Sequence, residues 1–148
     1  MKYNKLDTNE NKIYKKHDTW TFKLWQPCDN EAVVIMTRQI AKKAGFKLTD
    51  EVMIATAASE LATNILRYAN QGEITVCIIQ DAERTGVEIL AWDQGPGIRD
   101  LQMAMKENYS TSKRSLGMGL PSVQRIMDEF KIESKLGHGT CVLTRKWC

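Results

Sequence analysis

Three stretches of this sequence put polar or glycine residues where a plain fold does not need them. "VEILAWDQGPGIRD" (87–100) ends a strand-like run on a carboxylate. By the two-residue period of a strand, Val87, Ile89, Ala91 and Asp93 share one face, so Asp93 points the same way as three apolar side chains. A charge in that phase is costly unless it has a partner or a donor to accept from. An Asp that has left the strand to cap the turn at Gly95 gives the same pattern. The second stretch, "TDEVMIATAASELATNILRYA" (49–69), has an apolar stripe at helical spacing: Ile54, Ala57, Ala58, Leu61, Ile65 and Tyr68. Glu60 and Asn64 sit four apart and so stack on one another, each one residue, about 100° of arc, from the stripe. A carboxylate at the rim of a buried face can act as a proton acceptor if a cleft opens there; a solvated helix edge has the same spacing. The third, "STSKRSLGMGLPSV" (110–123), places Gly117 and Gly119 immediately before an amphipathic helix, with Pro121 in its first turn. Glycines there leave amides free to face an anion, and the helix dipole favours one. A tight loop leading into a helix also uses them. "GHGT" (137–140) adds a glycine turn running into Thr140 at the start of a last strand.

The elements that must position these residues follow from periodicity and turn chemistry. "TWTFKLWQ" (19–26) alternates as a strand. Asp29 can cap a helix with the stripe Val33, Thr37, Ile40 and Ala44, ended by Gly45. Thr49 can cap the longer helix that reaches about Ala69. "EITVCIIQ" and "VEILAWD" read as strands joined by the polar "DAERTG". Residues 98–116 have weak periodicity and many Ser, Thr, Lys and Arg. Leu120, Val123, Met127 and Phe130 then space out a helix, and "KIES", "KLGHG" and "TCVLTRKW" close the chain as strand, turn and strand. The order β-α-α-β-β-loop-α-β-β predicts an α+β fold, a two-layer sandwich with a mixed or antiparallel sheet and helices on one face.

The 148 residues suit one domain, expected over 19–148 and preceded by a flexible basic arm, 1–18. That arm has five lysines against three acids, so most of the +3 net charge sits in it. The nearly balanced remainder offers no electrostatic footprint for nucleic acid. Four cysteines without C-x-x-C spacing, no signal-peptide core and no membrane-length apolar run predict a cytoplasmic protein with reduced thiols and no membrane partner.

Taken in order, these pieces form a pattern: helix E-x-x-x-N, strand-D-x-G-x-G, long polar loop, G-x-G at a helix start, G-T into a strand. The pattern resembles the Bergerat ATP-binding fold shared by gyrase, Hsp90, sensor histidine kinases and the small serine kinases of bacterial sigma-factor switches. The resemblance covers roughly residues 19–147. It implies ATP and Mg²⁺ as cofactors. It implies that Asp93 accepts from the adenine amino group, that Gly95 and Gly97 let the backbone pass close to the nucleotide, and that Asn64 holds Mg²⁺. It implies that Gly117 and Gly119 cradle phosphates, with Met118 and Leu120 beside them, and that Thr140 sits near the base. Residues 98–116 would be the ATP lid, whose Ser112, Lys113 and Arg114 reach phosphates or a partner.

Size leaves no room for a transducer domain, and neither His17 nor His138 lies on a dimerisation helix, as a complete sensor kinase would need. "SELATNILRYA", "DQGPGI", "YSTS", "LGMGLPSVQRIMDEF" and "GHGTCVLTRKW" are most similar to the RsbT-type serine/threonine switch kinases of the stressosome. Two positions depart from that pattern: the lid has less glycine, and Ser122 stands where glycine is usual. The resemblance implies transfer of the ATP γ-phosphate to Ser or Thr of STAS-domain proteins, and activation of a partner phosphatase on release. A hydroxyl acceptor needs a base, and Glu60, stacked beside Asn64, is the catalytic candidate. The alternatives are an anti-sigma kinase and a non-catalytic nucleotide-gated binding module; the expected oligomeric state is monomer or weak dimer.

Overall fold

The computed structural model describes residues 14–105 and 116–148. In chain order they form β1 (Lys15–Leu24), α1 (Asp29–Ala44), α2 (Leu48–Tyr68), β2 (Gly72–Gln80), β3 (Thr85–Asp93), the one-turn α3 (Leu101–Ala104), α4 (Leu116–Ile126), β4 (Glu129–Lys135) and β5 (Gly139–Trp147). The strands make one sheet in the order β1-β2-β3-β5-β4 with every neighbouring pair antiparallel. The architecture is the expected α+β sandwich, in its antiparallel form.

The core lies between that sheet and the helices. Val33, Ile54, Leu61, Ile74, Val76, Ile78, Val87 and Ile89 are almost fully buried. Each such side chain contributes about 1.5–3 kcal/mol by leaving water. The inward residues of β3 pair with those of β5, Ala91 with Val142 and Asp93 with Thr140. This register carries Asp93 to the end of the apolar face. α1 stops where Gly45 turns left-handed at φ 103. Its amide donates to the Lys42 carbonyl, and the Phe46 amide donates to that of Ala41, a Schellman arrangement that β-carbon-bearing residues adopt only with strain.

Several local expectations are corrected. The expected arm, 1–18, overlaps β1, whose Lys15, Lys16 and His17 pair with Gln80, Ile79 and Ile78. A bulge follows, with Asp18 at φ 50. There the Lys43 ammonium donates to Asp18 at 2.8 Å, holding its carboxyl below the usual range. A bulge and charges on an edge strand are the usual protection against unwanted pairing, and alternation was weak here for that reason. Asp29 does not cap α1. It is the first helical residue, and its carboxylate reaches back to accept from the Trp25 and Gln26 amides. Lys47, not Thr49, precedes α2. Phe130 is not helical. The chain leaves α4 after Ile126, the Asp128 amide donates to the Arg145 carbonyl, and Phe130 then pairs with Thr144 in the sheet. Helical spacing had run into a strand by coincidence.

Gly117 and Gly119 are likewise not a loop ahead of the helix. α4 begins at Leu116, so both glycines are in its first turns and Pro121 lies farther in than the first turn. Low glycine propensity is overridden because α4 packs closely on α2. Among the described residues no helix is long and apolar enough to cross a membrane.

Candidate nucleotide site

A cleft of about 280 Å³ opens between the C-terminal half of α2 and the ends of β3 and β5. Leu61, Asn64, Ile65 and Tyr68 form one wall, and Ala91, Asp93, Thr140 and Val142 form the floor. Pro96 to Asp100 closes one side, with Ala104 and Leu120 from α3 and α4. A mostly apolar cleft with a few convergent polar groups suits a flat heterocycle with polar edges.

Asp93 is the polar group on the floor. Its Oδ1 accepts from the Gly95 amide at 2.9 Å, and the Thr140 amide also donates to the carboxylate. Both readings of the sequence are therefore realised: Asp93 caps the turn and also faces the cleft. Burial raises its carboxyl above the ordinary value, with the Gly95 and Thr140 amides partly offsetting that. Among the described residues no cation is paired with it.

The loop after Asp93 is set by close packing. A β-carbon on Gly95 would lie 2.6 Å from that of Ala69, at the end of α2. Gly97, at φ 79, has no room for one beside the Lys135 carbonyl, and Gly139 has none beside that of Asp93. Gly95 and Gly97, expected to let the backbone pass close to a nucleotide, together with Gly139 first of all let strand, helix and hairpin meet. Gly97 also lines the cleft and Gly95 does not.

Glu60 and Asn64 meet Gly119 across the α2–α4 contact. A β-carbon on Gly119 would lie 3.2 Å from Glu60 Oε2 and 3.3 Å from both polar atoms of the Asn64 amide. A larger residue at 119 would make the ends of the two side chains that spacing singled out give way by a few tenths of an ångström. Asn64 Nδ2 is buried with no hydrogen-bond partner among the described residues. Leaving such a group unmade costs about 1–3 kcal/mol, so an acceptor supplied by a ligand is the natural complement. Gly117 and Met118 share the first turn of α4. Leu120 is buried against the cleft. Ser112, Lys113 and Arg114 lie outside the described residues.

The sequence reading missed three contributors. Tyr68, placed in the core stripe, lines the cleft, and its hydroxyl is buried without a partner among the described residues. Asp100 lines the cleft and caps α3, accepting from the Met103 amide at 3.1 Å. Ser134 on β4 accepts from the Ile98 amide at 2.7 Å and lies 2.8 Å from the Thr140 hydroxyl. Ser134 shares an inward face with Phe130 and Ile132, the same polar-in-apolar-phase signal that exposed Asp93. Burial first, then neighbouring carboxylates, pushes the Cys77 and Cys141 thiols up to about 12, so both are protonated at neutral pH.

An antiparallel sheet under two long helices, with Asp93 on the floor of a cleft and Asn64 in its helix wall, is the architecture of the histidine kinase-like ATPase family. The chain belongs to that family, matching it over residues 28–146. It is 46% identical over 110 residues, 74% of this chain and 82% of the relative, to the serine/threonine-protein kinase RsbT of Bacillus subtilis. It is also 37% identical over 100 residues, 63% of this chain and 67% of the relative, to the anti-sigma F factor of Clostridium acetobutylicum. The anti-sigma F factor of Geobacillus stearothermophilus is 35% identical over 104 residues.

Proposed function

We infer that the chain is an ATP-dependent serine/threonine protein kinase of a partner switch. The observation that carries this reading is the meeting of Glu60 and the Asn64 amide over Gly119, at the rim of the cleft that has Asp93 on its floor. The similarity to a serine/threonine-protein kinase over most of both chains supports it.

In this reading Asp93 accepts from the adenine amino group through the oxygen not held by Gly95. Asn64 fits Mg²⁺ and phosphate together: Oδ1 suits a hard cation, and the unpartnered Nδ2–H suits a phosphate oxygen. Among the described residues no cluster of three or more His, Cys, Asp or Glu could hold a metal alone. When bound, Mg²⁺ neutralises charge on the phosphates. Arg99, on the cleft side of the segment 98–116 that we assign as the ATP lid, adds a protein cation. The first turn of α4, beginning at Leu116, offers its unpaired amides and the positive end of its dipole.

Transfer then needs an oriented acceptor and a place for one proton. The Ser or Thr oxygen of the target bonds to the γ-phosphorus as the bond to the ADP oxygen breaks. The hydroxyl proton passes to the Glu60 carboxylate. We propose STAS-domain regulators as the targets, and release from them as the event that lets the kinase engage and activate a phosphatase. Single-turnover transfer from labelled ATP to a STAS-domain protein tests this. Phosphoserine or phosphothreonine on the target is expected. No transfer, together with tight capture of a sigma factor, replaces this reading with the anti-sigma one that the anti-sigma F relatives represent.

A further inference from the structure

Asp93, Thr140 and Ser134 stand side by side on β3, β5 and β4, each directly opposite the next. Asp93 and Thr140 line the cleft; Ser134 sits behind them. Ser134 Oγ has three polar neighbours: the Ile98 amide at 2.7 Å, the Thr140 hydroxyl at 2.8 Å and the Gly139 carbonyl at 3.3 Å.

A hydroxyl has one proton and two lone pairs. The Ile98 amide can only donate, which occupies one lone pair of Ser134. The Gly139 carbonyl can only accept, which takes its proton. One lone pair remains, and the Thr140 hydroxyl fills it only by donating. In that single arrangement all three contacts are made at once. The Thr140 proton then points at Ser134, and lone pairs are what Thr140 presents to the cleft. Its neighbour there, the Asp93 carboxylate, is an acceptor too.

We propose that Ser134 is a positioning residue that determines which purine the cleft takes. By holding the Thr140 proton it makes the polar end of the cleft a pair of acceptors. That pair matches an exocyclic amine with its two N–H donors and opposes a ring carbonyl in the same place. A 6-aminopurine nucleotide is accepted and a 6-oxopurine nucleotide refused. This rests on the cleft being the nucleotide site. Without Ser134 the Thr140 hydroxyl turns freely and can donate to a carbonyl, so discrimination drops even if both ligands still bind.

The test is calorimetric binding of Mg-ADP and Mg-IDP to the wild type, Ser134→Ala, Ser134→Thr, Thr140→Val and the Thr140→Val/Ser134→Ala double variant. The wild type should prefer ADP. Ser134→Ala should lower that preference about tenfold, the worth of one hydrogen bond gained by the 6-oxopurine. Ser134→Thr keeps a hydroxyl and should keep the preference. In the Thr140→Val background, removing Ser134 should leave the ratio unchanged, because no proton remains to orient. If Ser134→Ala does not fold, Ser134→Cys, a weaker acceptor of similar size, is read the same way. Equal weakening of both ligands in Ser134→Ala, with the ratio intact, would make Ser134 a mere tether for Ile98 and overturn the proposal. A wild type indifferent to the two nucleotides overturns it as well. Asp93→Ala measured in parallel separates the layers: if it loses ADP while the Ser134→Ala ratio holds, only the Ser134 inference falls. If it binds ADP normally, the reading of the cleft itself falls.

Discussion

β3 carries two carboxylates five residues apart that do opposite jobs. Glu88 faces away from the helices and is almost fully buried. Arg145 donates to it at 2.8 Å and Lys16 lies at 3.1 Å, with the Arg145 guanidinium over the Tyr14 ring. Asp93 faces the helices, is held only by backbone amides, and has no cationic partner among the described residues. A buried carboxylate with its cation in place is finished structure. One held by amides alone, above its ordinary protonation range, is short of a partner that a ligand can supply. The same contrast separates Glu51 on α2, satisfied by Arg38 of α1, from the unpartnered Asn64 amide farther along α2.

The contrast predicts that cleft residues trade in activity and outer-face residues in stability. The largest effect is expected at Glu60. Glu60→Gln keeps shape and loses the proton acceptor, so single-turnover phosphate transfer should fall about 10²–10⁴-fold, with nucleotide affinity within a few-fold of wild type. Transfer at the wild-type rate would remove Glu60 from the chemistry. Asn64→Ala, by contrast, should weaken Mg²⁺-nucleotide binding itself.

Glu88→Ala tests the other side. It takes from buried Arg145 its nearest carboxylate, leaving Glu129 at 3.7 Å, and should cost up to about 3 kcal/mol in denaturant unfolding. Nucleotide affinity of the folded fraction should not change. A mild stability loss accompanied by lost binding would erase the division of labour between the two faces.

Asp93→Ala comes next, with an expected loss of about 1–3 kcal/mol in nucleotide binding, tenfold to hundredfold in Kd. Stability should change little, because losing the acceptor of the Gly95 and Thr140 amides offsets the removal of a half-buried charge. Calorimetry and a thermal melt on one sample decide both points.

The smallest effect is in pH. The Asp93 carboxyl is raised in the folded protein by burial. Between its unfolded and folded values the native state therefore binds the extra proton. The stability it contributes is fully present below the unfolded value and is lost as pH rises through the folded one. Nucleotide binding runs the other way: it needs the ionised acceptor and weakens as pH falls through the folded value. Asp93→Asn should flatten both profiles. A wild-type affinity that is level across the acid range would contradict the assigned role.

Much of this was legible along the chain because it is local. The period of two put Asp93 in phase with Val87, Ile89 and Ala91, and the period of 3.6 put Glu60 and Asn64 on one edge of α2; both placements depend only on backbone geometry. Gly45 ended its helix as its type predicts. Local cues failed where another element decided. Asp29 and Thr49 looked like caps, but a neighbouring turn and Lys47 took those places. Phe130 kept helical spacing while β5 drew it into the sheet.

What only the tertiary structure decided is which distant residues touch. Periodicity reports that a face is buried, and not what buries it. Nothing in the sequence brings Gly119 onto Glu60 and Asn64; the packing of α4 on α2 does, and it turns a helix edge into a site. Nothing in it places β5 between β3 and β4, which sets Asp93, Thr140 and Ser134 in one row. The sequence by itself determined most of the elements, the family pattern and the candidate residues, because spacing along a chain fixes direction. The partners of those residues, and so the chemistry they can share, were set by packing between elements far apart in the chain, where sequence spacing fixes nothing.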